Sequence, residues 1–177
     1  MKICMYGSGS KKTPKEYTDV GYKLGAEIAK KGHSLVFGGG NDGMMGAVAS
    51  GVFDNGGEIL AIFPNWIMEL DDDEFNNSSQ MIKTSSMDER KKLFLEKSDV
   101  FVICPGGFGT LDELFEVLTL KYLHRHSKKI ILFNINHFYD DLISILGEMH
   151  DNGLIREGAM DIFDVANTID EVFQLIY

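Results

Sequence analysis

The chain has 177 residues, of which 44% are hydrophobic and 25% are charged, and its formal net charge at pH 7 is −10. This length and composition are typical of a globular protein, and we expect one domain over residues 1–177. The negative charge argues against binding to nucleic acid polymers, which needs a basic surface, and no apolar run is long enough to predict a membrane span.

Short apolar runs alternate with helical patterns along the chain, beginning with a predicted strand at residues 3–6. Further strands are predicted at 35–37, 59–63, 100–104 and 130–133, and a last short strand and helix within 162–176. Helices are predicted at 14–31, from the loop after residue 37 to about 55–57, and at 87–97, 111–124 and 139–152. Ser86 is the predicted N-cap of the helix at 87–97, with Glu89 as its capping-box acid.

This alternation predicts the fold class. Strands separated by helices are typical of a parallel sheet covered on both faces. We therefore predict a single Rossmann-like α/β domain, doubly wound, with three layers. In such folds ligands bind beyond the carboxyl ends of the strands.

The cysteines and histidines bear on compartment and cofactors. Cys4 and Cys104 lie in strand-like runs without CxxC spacing, which favours buried, unreactive thiols in a reducing cytoplasm. The first apolar stretch is too short for a secretory signal, so a cytoplasmic protein is expected. No His, Cys or carboxylate spacing is typical of a metal site, and we predict neither a metal nor a cofactor.

Two glycine-rich segments follow predicted strands and open predicted helices. The first glycine loop is residues 38–46 (Gly-Gly-Gly-Asn-Asp-Gly-Met-Met-Gly) and the second is residues 105–110 (Pro-Gly-Gly-Phe-Gly-Thr). A strand, glycine turn and helix in this order direct backbone N–H groups and a helix dipole at one point, which suits a phosphate. Tight βα turns are the alternative for either loop alone, but both leave the same edge of the sheet, so a phosphorylated ligand held from two sides is predicted.

Acidic residues follow the second glycine loop. Glu113 lies one helical turn beyond Thr110, either next to the ligand or where it screens the helix dipole. Glu116 is predicted on nearly the same face, and Asp112 is predicted to point elsewhere. Thr110 is either a helix N-cap or a phosphate contact.

A basic pair, Arg90 and Lys91, lies in the helix before the second glycine loop. One interpretation is a solvated helix face. The other is that the guanidinium reaches the site and binds phosphate or carboxylate through two hydrogen bonds.

These motifs resemble one protein family along nearly the whole chain. Residues 38–46 resemble the GGGxxGLMG segment of the LONELY GUY family of cytokinin riboside monophosphate phosphoribohydrolases, and residues 105–113 match its PGGxGTxxE motif. Residues 5–10 are similar to its first strand and turn, and residues 87–91 to its MHxRK segment. The resemblance implies a Rossmann-like homodimer that hydrolyses the N-glycosidic bond of a nucleoside 5′-monophosphate. Members are often labelled lysine decarboxylases, but no lysine here is placed to hold pyridoxal phosphate.

The resemblance also implies roles for individual residues. Arg90 and Glu113 match the catalytic pair, and an acid at Asp71 or Asp72 matches a substrate-contacting glutamate. Together with the glycine loops, it assigns the substrate-binding positions to Gly39, Gly40, Gly43, Met45, Gly46, Lys91, Gly106, Gly107, Phe108, Gly109, Thr110, Glu116 and Thr119.

Three positions depart from the family pattern: Asp88 replaces a histidine, Leu120 a tryptophan and Tyr122 a glutamine. They lie where the base or its substituent is expected, so nucleotide hydrolysis is better supported than a preference for prenylated adenine. A general nucleotide nucleosidase is therefore one alternative. The other is a binding protein, because molybdenum-cofactor carrier proteins have similar loops. The apolar residues Leu114, Val117, Leu118 and Leu120 belong either to the core, which is favoured, or to a subunit interface.

Overall fold

A computed structural model of the chain describes residues 1–66 and 75–177. It contains one sheet with strands β1 (Lys2–Tyr6), β2 (Ser34–Phe37), β3 (Ile59–Pro64), β4 (Gln80–Thr84), β5 (Val100–Ile103), β6 (Lys129–Phe133) and β7 (Asp164–Ala166). The α-helices are α1 (Lys15–Lys30), α2 (Gly43–Asp54), α3 (Met87–Lys97), α4 (Phe108–Tyr122), α5 (Asp140–Asp151) and α6 (Ile169–Ile176). Within the described ranges there is no helix whose length and apolar character would let it cross a bilayer.

All neighbouring strands are parallel, in the order β4-β3-β2-β1-β5-β6-β7. The chain first builds outward from β1 to β4 and then returns to add β5 on the other side of β1. In register, Ile3 of β1 lies beside Leu35 of β2 on one side and Val100 of β5 on the other. The order therefore reverses between β1 and β5, and loops that leave these two strands diverge to form a crevice.

Alternate side chains of the central strands enter two cores, one on each face of the sheet. Ile3 and Met5 pack with α1, α2 and α6, whereas Cys4 and Tyr6 pack with α3, α4 and α5. The predicted three-layer α/β fold is confirmed. Both cysteines are free and buried, and burial raises the pKa of the Cys4 thiol to about 12.

Strand β4 has no counterpart among the strands predicted from the sequence. It lies at the edge of the sheet and exposes most of its side chains, with Thr84 as its buried residue. A strand that packs so little apolar surface has no hydrophobic alternation to predict it.

Helix α3 has the predicted bounds and cap. The Ser86 hydroxyl accepts a hydrogen bond from the Glu89 backbone N–H at 3.1 Å. The Glu89 carboxylate accepts from the backbone N–H and the hydroxyl of Ser85, both at 2.7 Å, rather than from the N–H of the N-cap. This start matters because the first turn of α3 carries Arg90.

Candidate active site

The two glycine loops meet through the loop that follows β1. The Ser8 N–H donates to the Pro105 carbonyl at 3.0 Å, and the Ser8 carbonyl accepts from the Met45 N–H at 3.1 Å. Because β1 lies between β2 and β5, its loop lies between the loops of those two strands. Ser8 thus joins both glycine loops at the carboxyl edge of the sheet, a connection that no sequence motif predicted.

The first glycine loop turns sharply into α2. Gly43 begins the helix with φ +59°, a conformation that favours glycine, and a Cβ there would lie 2.5 Å from the Ser8 carbonyl oxygen. Gly39 packs against the Phe63 ring, and Gly46 lies against the Asn41 carbonyl. The Met45 side chain covers Gly40, so its thioether lies over this loop.

The second glycine loop leads directly into α4. Pro105 is buried, Gly106 lies against the Thr110 hydroxyl, and Gly107 is the N-cap of α4. The helix begins at Phe108, earlier than predicted, so the hypothesis that Thr110 is the N-cap was wrong. Gly107 provides no side-chain cap, and the N–H groups of the first turn, which includes Gly109, lie at the positive end of the helix dipole. Phe108 is 96% exposed.

Arg90 and Glu113 form an ion pair beside these loops. Arg90 Nη1 lies 3.3 Å from Glu113 Oε1, and the two residues are only 7% and 8% exposed. The guanidinium is also held by its Nε, which donates to the Ile62 carbonyl at 3.1 Å, and by the Phe94 ring, whose centroid is 5.0 Å away. The alternative of a solvated basic face was therefore wrong for Arg90. Neither Ile62 nor Phe94 was predicted as a partner.

Gly38 makes room for the Arg90 guanidinium. A Cβ on Gly38 would lie 2.3 Å from Arg90 Nη2 and 3.0 Å from Met45 Sδ. Real Cβ atoms do not approach other atoms so closely, so the first glycine loop and α3 touch only because residue 38 has no side chain. Arg90 therefore contacts the first glycine loop at Gly38, and it contacts α4, the helix that follows the second glycine loop, at Glu113.

Burial makes Glu113 an unusually weak acid. Desolvation raises its pKa from 4.5 to about 7, against the opposing effect of the nearby Arg90. Asp112 and Glu116 raise this pKa further, and Lys91 lowers it. A carboxyl group that titrates near neutral pH next to a fixed cation is suited to transfer or hold a proton.

Lys91 connects two acids of α4. Its Nζ lies 2.6 Å from Glu116 Oε2 and 3.3 Å from Asp112 Oδ2, and these partners raise its pKa. The prediction that Asp112 points elsewhere was wrong, because residues four apart share a helix face. Lys91 and Glu116 thus lie next to the Arg90–Glu113 pair as a partly exposed ion pair.

Thr119 was predicted to bind the substrate, but it does not lie beside Arg90 and Glu113. It lies six residues beyond Glu113, about 240° around the helix, so it faces another side of α4. There it lines a groove of about 420 Å³ between α4, α5 and residues 154–163, with mostly apolar neighbours. Of the four residues predicted for the core, Leu114, Val117 and Leu118 are buried, whereas Leu120 is only half-buried. The acids Asp71 and Asp72 lie outside the described residues.

A cleft of about 250 Å³ opens at the point where the strand order reverses. It is lined by polar residues of the loop after β1, by Gly106 of the second glycine loop, and by the apolar or aromatic residues Pro14, Tyr17, Pro105 and Phe138. The polar residues are Ser8, Ser10, Lys12 and Thr13, and the hydroxyl groups of Ser8 and Thr13 are 2.9 Å apart and hydrogen-bonded to each other. Polar hydrogen-bonding groups and a cation beside a glycine loop are the groups that bind phosphate.

Comparison with known proteins agrees with this geometry. A family model described as "Possible lysine decarboxylase" matches residues 45–176. Cytokinin riboside 5′-monophosphate phosphoribohydrolase LOG from Oryza sativa subsp. japonica is 35% identical over 173 residues, which are 97% of this chain and 70% of the rice protein. The enzyme LOG3 from Arabidopsis thaliana is 33% identical over 97% of this chain and 79% of its own length. This chain belongs to the LONELY GUY (LOG) family.

Solved structures of molybdenum-cofactor proteins share the fold of this LOG-family chain. The molybdenum cofactor binding protein from Rippkaea orientalis superposes with a TM-score of 0.75 and 24% identity, over 99% of this chain and 94% of that one. The molybdenum cofactor carrier protein from Chlamydomonas reinhardtii gives a TM-score of 0.73 and 22% identity, over 99% and 97%. At these identities the likeness shows the shared fold alone.

Proposed function

We propose that this LOG-family protein hydrolyses the N-glycosidic bond of a nucleoside 5′-monophosphate and releases the free base and ribose 5-phosphate. The observation that carries the proposal is the buried Arg90–Glu113 pair at the meeting point of the two glycine loops. Relatives that are about one-third identical over most of their length are named as phosphoribohydrolases of this kind. The proposed substrates are AMP and N6-substituted AMP.

The glycine loops would hold the 5′-phosphate. The free N–H groups of the first turn of α4 and its dipole favour an anion, and the cleft at the strand reversal adds hydroxyl groups and Lys12. Lys91 and Glu116, which pair with each other on the helices that carry Arg90 and Glu113, would contact the ribose hydroxyls. A phosphate bound in the glycine loops would set the sugar beside Glu113.

Cleavage of the bond between C1′ and the base builds positive charge on the ribose ring. The Glu113 carboxylate stabilises this charge and orients or deprotonates the attacking water, as carboxylates do in glycoside hydrolysis. The Arg90 guanidinium, which stays protonated, fixes the nucleotide or compensates negative charge on the departing base. Neither role needs a metal or an organic cofactor.

Replacement of Glu113 tests this mechanism. In Glu113→Gln the shape of the site is kept but the negative charge is lost, so we expect base release from AMP to fall by a factor on the order of 100 or more. AMP binding, measured by calorimetry, should remain detectable. The matched control is Glu96→Gln at an exposed position of α3, which should keep full activity. Full activity in Glu113→Gln would remove this residue from the mechanism.

The alternative of a carrier protein is supported by the similar loops of molybdenum-cofactor carrier proteins and by solved neighbours of the same fold, which are molybdenum-cofactor proteins. A carrier would bind a phosphorylated ligand and release it unchanged. Chromatography after incubation with AMP separates the two functions, since adenine appears only if the protein is an enzyme.

The base preference is a finer part of the proposal. Asp88 and Leu120 depart from the family pattern where the resemblance puts the base, so we propose a broad nucleotide specificity rather than a strict preference for cytokinin precursors. Tyr122, the third departure, lines the groove beside α4 with Thr119 and does not bear on the base. Rates on AMP and isopentenyladenosine monophosphate, compared at equal concentrations, test the broad specificity. A rate on AMP far below that on the prenylated nucleotide, by about a hundredfold or more, would contradict it.

We also propose that the protein is a homodimer in the cytoplasm. Exposed apolar side chains of α4, α5 and the following segment, including Phe115, Met149 and Leu154, line one continuous groove that a second copy would cover. Sedimentation velocity at micromolar concentration should show a dimer, and a monomer at all concentrations would contradict the proposal. The cytoplasmic assignment is based on the two free, buried cysteines, and cell fractionation tests it.

A further inference from the structure

A second concave region lies at the other end of α4. It is a cavity of about 730 Å³, a size typical of small-molecule sites, formed by the last turn of α4 and residues 123–127 and 156–162. Its charged and titratable lining residues are Lys121, His124, His126, Arg156 and Glu157. Lys121 is about 12 Å along the helix axis from Glu113, so this cavity is distinct from the candidate active site.

The sequence around this cavity is basic, although the protein is acidic. Residues 121–129 (Lys-Tyr-Leu-His-Arg-His-Ser-Lys-Lys) contain four lysine or arginine side chains, two histidines and no acid, in a chain whose net charge is −10 with histidine counted as neutral. Such a local reversal of charge attracts anions to one place on the surface.

Some of these basic groups have structural roles. Lys128 Nζ donates to the carbonyl groups of Leu95 and Ser98 and so closes the end of α3. The His126 ring donates from Nε2 to the Val117 carbonyl at 2.9 Å and accepts at Nδ1 from the Lys128 N–H at 3.1 Å, which makes it a neutral wall of the cavity. These contacts account for His126 and Lys128 without a ligand.

Lys121 and Arg156 differ from these two residues. Among residues 1–66 and 75–177, neither forms an ion pair within 4 Å, and Glu157 is the acid that lines the cavity with them. Partial burial of the Lys121 ammonium lowers its pKa, with an opposing effect from Asp164. Lys121 is therefore a partly buried cation whose nearby acid, Asp164, is not in ion-pair contact with it, and a bound anion would stabilise it further.

His124 adds a third group. It has φ +56° directly after the C-cap of α4, in the left-handed conformation that ends many helices and that histidine adopts more often than most residues. Its ring lines the same cavity as Lys121 and Arg156.

We propose that this cavity binds the phosphate group of a small phosphorylated molecule, with Lys121 and Arg156 as the charged ligands and His124 as a further donor. A guanidinium and an ammonium in one cavity match the several oxygens of a phosphate. The concave shape favours a small molecule over the convex surface of an acidic protein. The site is separate from the proposed hydrolysis and does not depend on it. It adjoins the groove proposed for the partner copy and shares Tyr122, Leu123, Arg156 and Ile162 with it, so the phosphate would lie at the margin of that proposed dimer contact.

Titration with sodium pyrophosphate tests the proposal. The imidazole signals of His124 and His126, followed by NMR and assigned with His124→Gln, should shift in a saturable way. In Lys121→Gln/Arg156→Gln the dissociation constant from these signals should be at least tenfold weaker. The control Lys23→Gln/Lys92→Gln removes the same charge from exposed positions of α1 and α3 and should bind like the wild type.

Three outcomes would overturn the proposal. The first is that neither histidine signal moves. The second is that the cavity variant and the control bind equally, which would place the pyrophosphate elsewhere, including the glycine loops. The third is signal broadening with protein concentration and no response to pyrophosphate, which would make the face a contact between copies. If the double variant fails to fold in a thermal unfolding scan, Arg156→Gln alone is used, because Arg156 is exposed.

Discussion

At the residue scale, the charge of one buried carboxyl group determines what the candidate site can do. Two effects on the pKa of Glu113 oppose each other: desolvation favours the neutral carboxyl group, and Arg90 favours the ionised one. Because desolvation dominates, the group titrates near pH 7 instead of near 4.5. The activity and the stability of the protein should therefore both change in this pH range.

Activity should rise with pH as Glu113 ionises, because the proposed mechanism needs its carboxylate. We expect kcat/KM for AMP to increase through a pKa of about 7 and then level off. Initial rates of base release from about pH 5.5 to about pH 8.5 at constant ionic strength measure this. The substrate phosphate also titrates near pH 6, so the residual activity of Glu113→Gln serves as the control and should lack the upper inflection. A rate that falls with pH over this range would instead make Glu113 a general acid.

Gly38 should be essential because of the contact it permits. Gly38→Ala places a methyl group where Arg90 Nη2 now lies, so the guanidinium must move away from Glu113. We expect base release to fall at least tenfold and the unfolding midpoint to fall as well, because the guanidinium that must move is buried and ion-paired. Gly147→Ala is the control: it lies in α5 with open space around it and should keep full activity. Equal activity of the two variants would show that the position of Arg90 is unimportant.

At the element scale, α3 and α4 carry the charged residues of the site, and the start of each helix sets their positions. Ser86 caps α3 four residues before Arg90, and Gly107 starts α4 six residues before Glu113. The strands that precede these helices lie at different distances from the centre of the sheet, so only the complete sheet brings the two helix starts together.

Loss of the α3 cap should cost stability. Ser86→Ala leaves the Glu89 N–H without its side-chain acceptor, and we expect the free energy of unfolding to fall by about 1 kcal/mol. Urea unfolding measures the change. Ser85→Ala is the control, because the Ser85 backbone N–H still donates to Glu89, and its effect should be smaller. Equal losses in both variants would contradict the assignment of Ser86 as the cap.

At the scale of the whole molecule, the reversal of strand order places the candidate site. The loops after β1 and β5 diverge there, and Ser8 connects them to the loop after β2. The same burial that forms the site also lowers the stability of the ionised protein, because folding removes Glu113 from water.

The stability of the protein should therefore depend on Glu113 and pH. The pKa of Glu113 is about 7 in the folded state and near 4.5 in the unfolded state. The protonated carboxyl group therefore adds to the free energy of unfolding below pH 4.5, and this stabilisation is lost as the pH rises through 7. The loss is on the order of 3 kcal/mol for this shift. Urea unfolding of the wild type and Glu113→Gln at about pH 4.5 and about pH 8 measures it, since other titrating groups cancel in the difference. A difference that is independent of pH would contradict the shifted pKa.

The sequence by itself determined the elements and the motifs. Hydrophobic periodicity predicts the central strands, and the cap at Ser86 and the two glycine loops are local signals, because they depend on residues within one or two turns of the chain. The edge strand β4 was not predicted, since an exposed strand has no apolar pattern. The N-cap of α4 was misplaced at Thr110, because a glycine cap leaves no side-chain signal.

Only the tertiary structure decided how these parts interact. The burial of Arg90, its space beside Gly38, the raised pKa of Glu113 and the pairing of Lys91 with both Asp112 and Glu116 join residues from different helices and loops. The tertiary structure also decided the position of Thr119, which lines a groove on another side of α4. Desolvation and ion pairing depend on distances between residues that are far apart along the chain, and local sequence patterns contain no information about those distances.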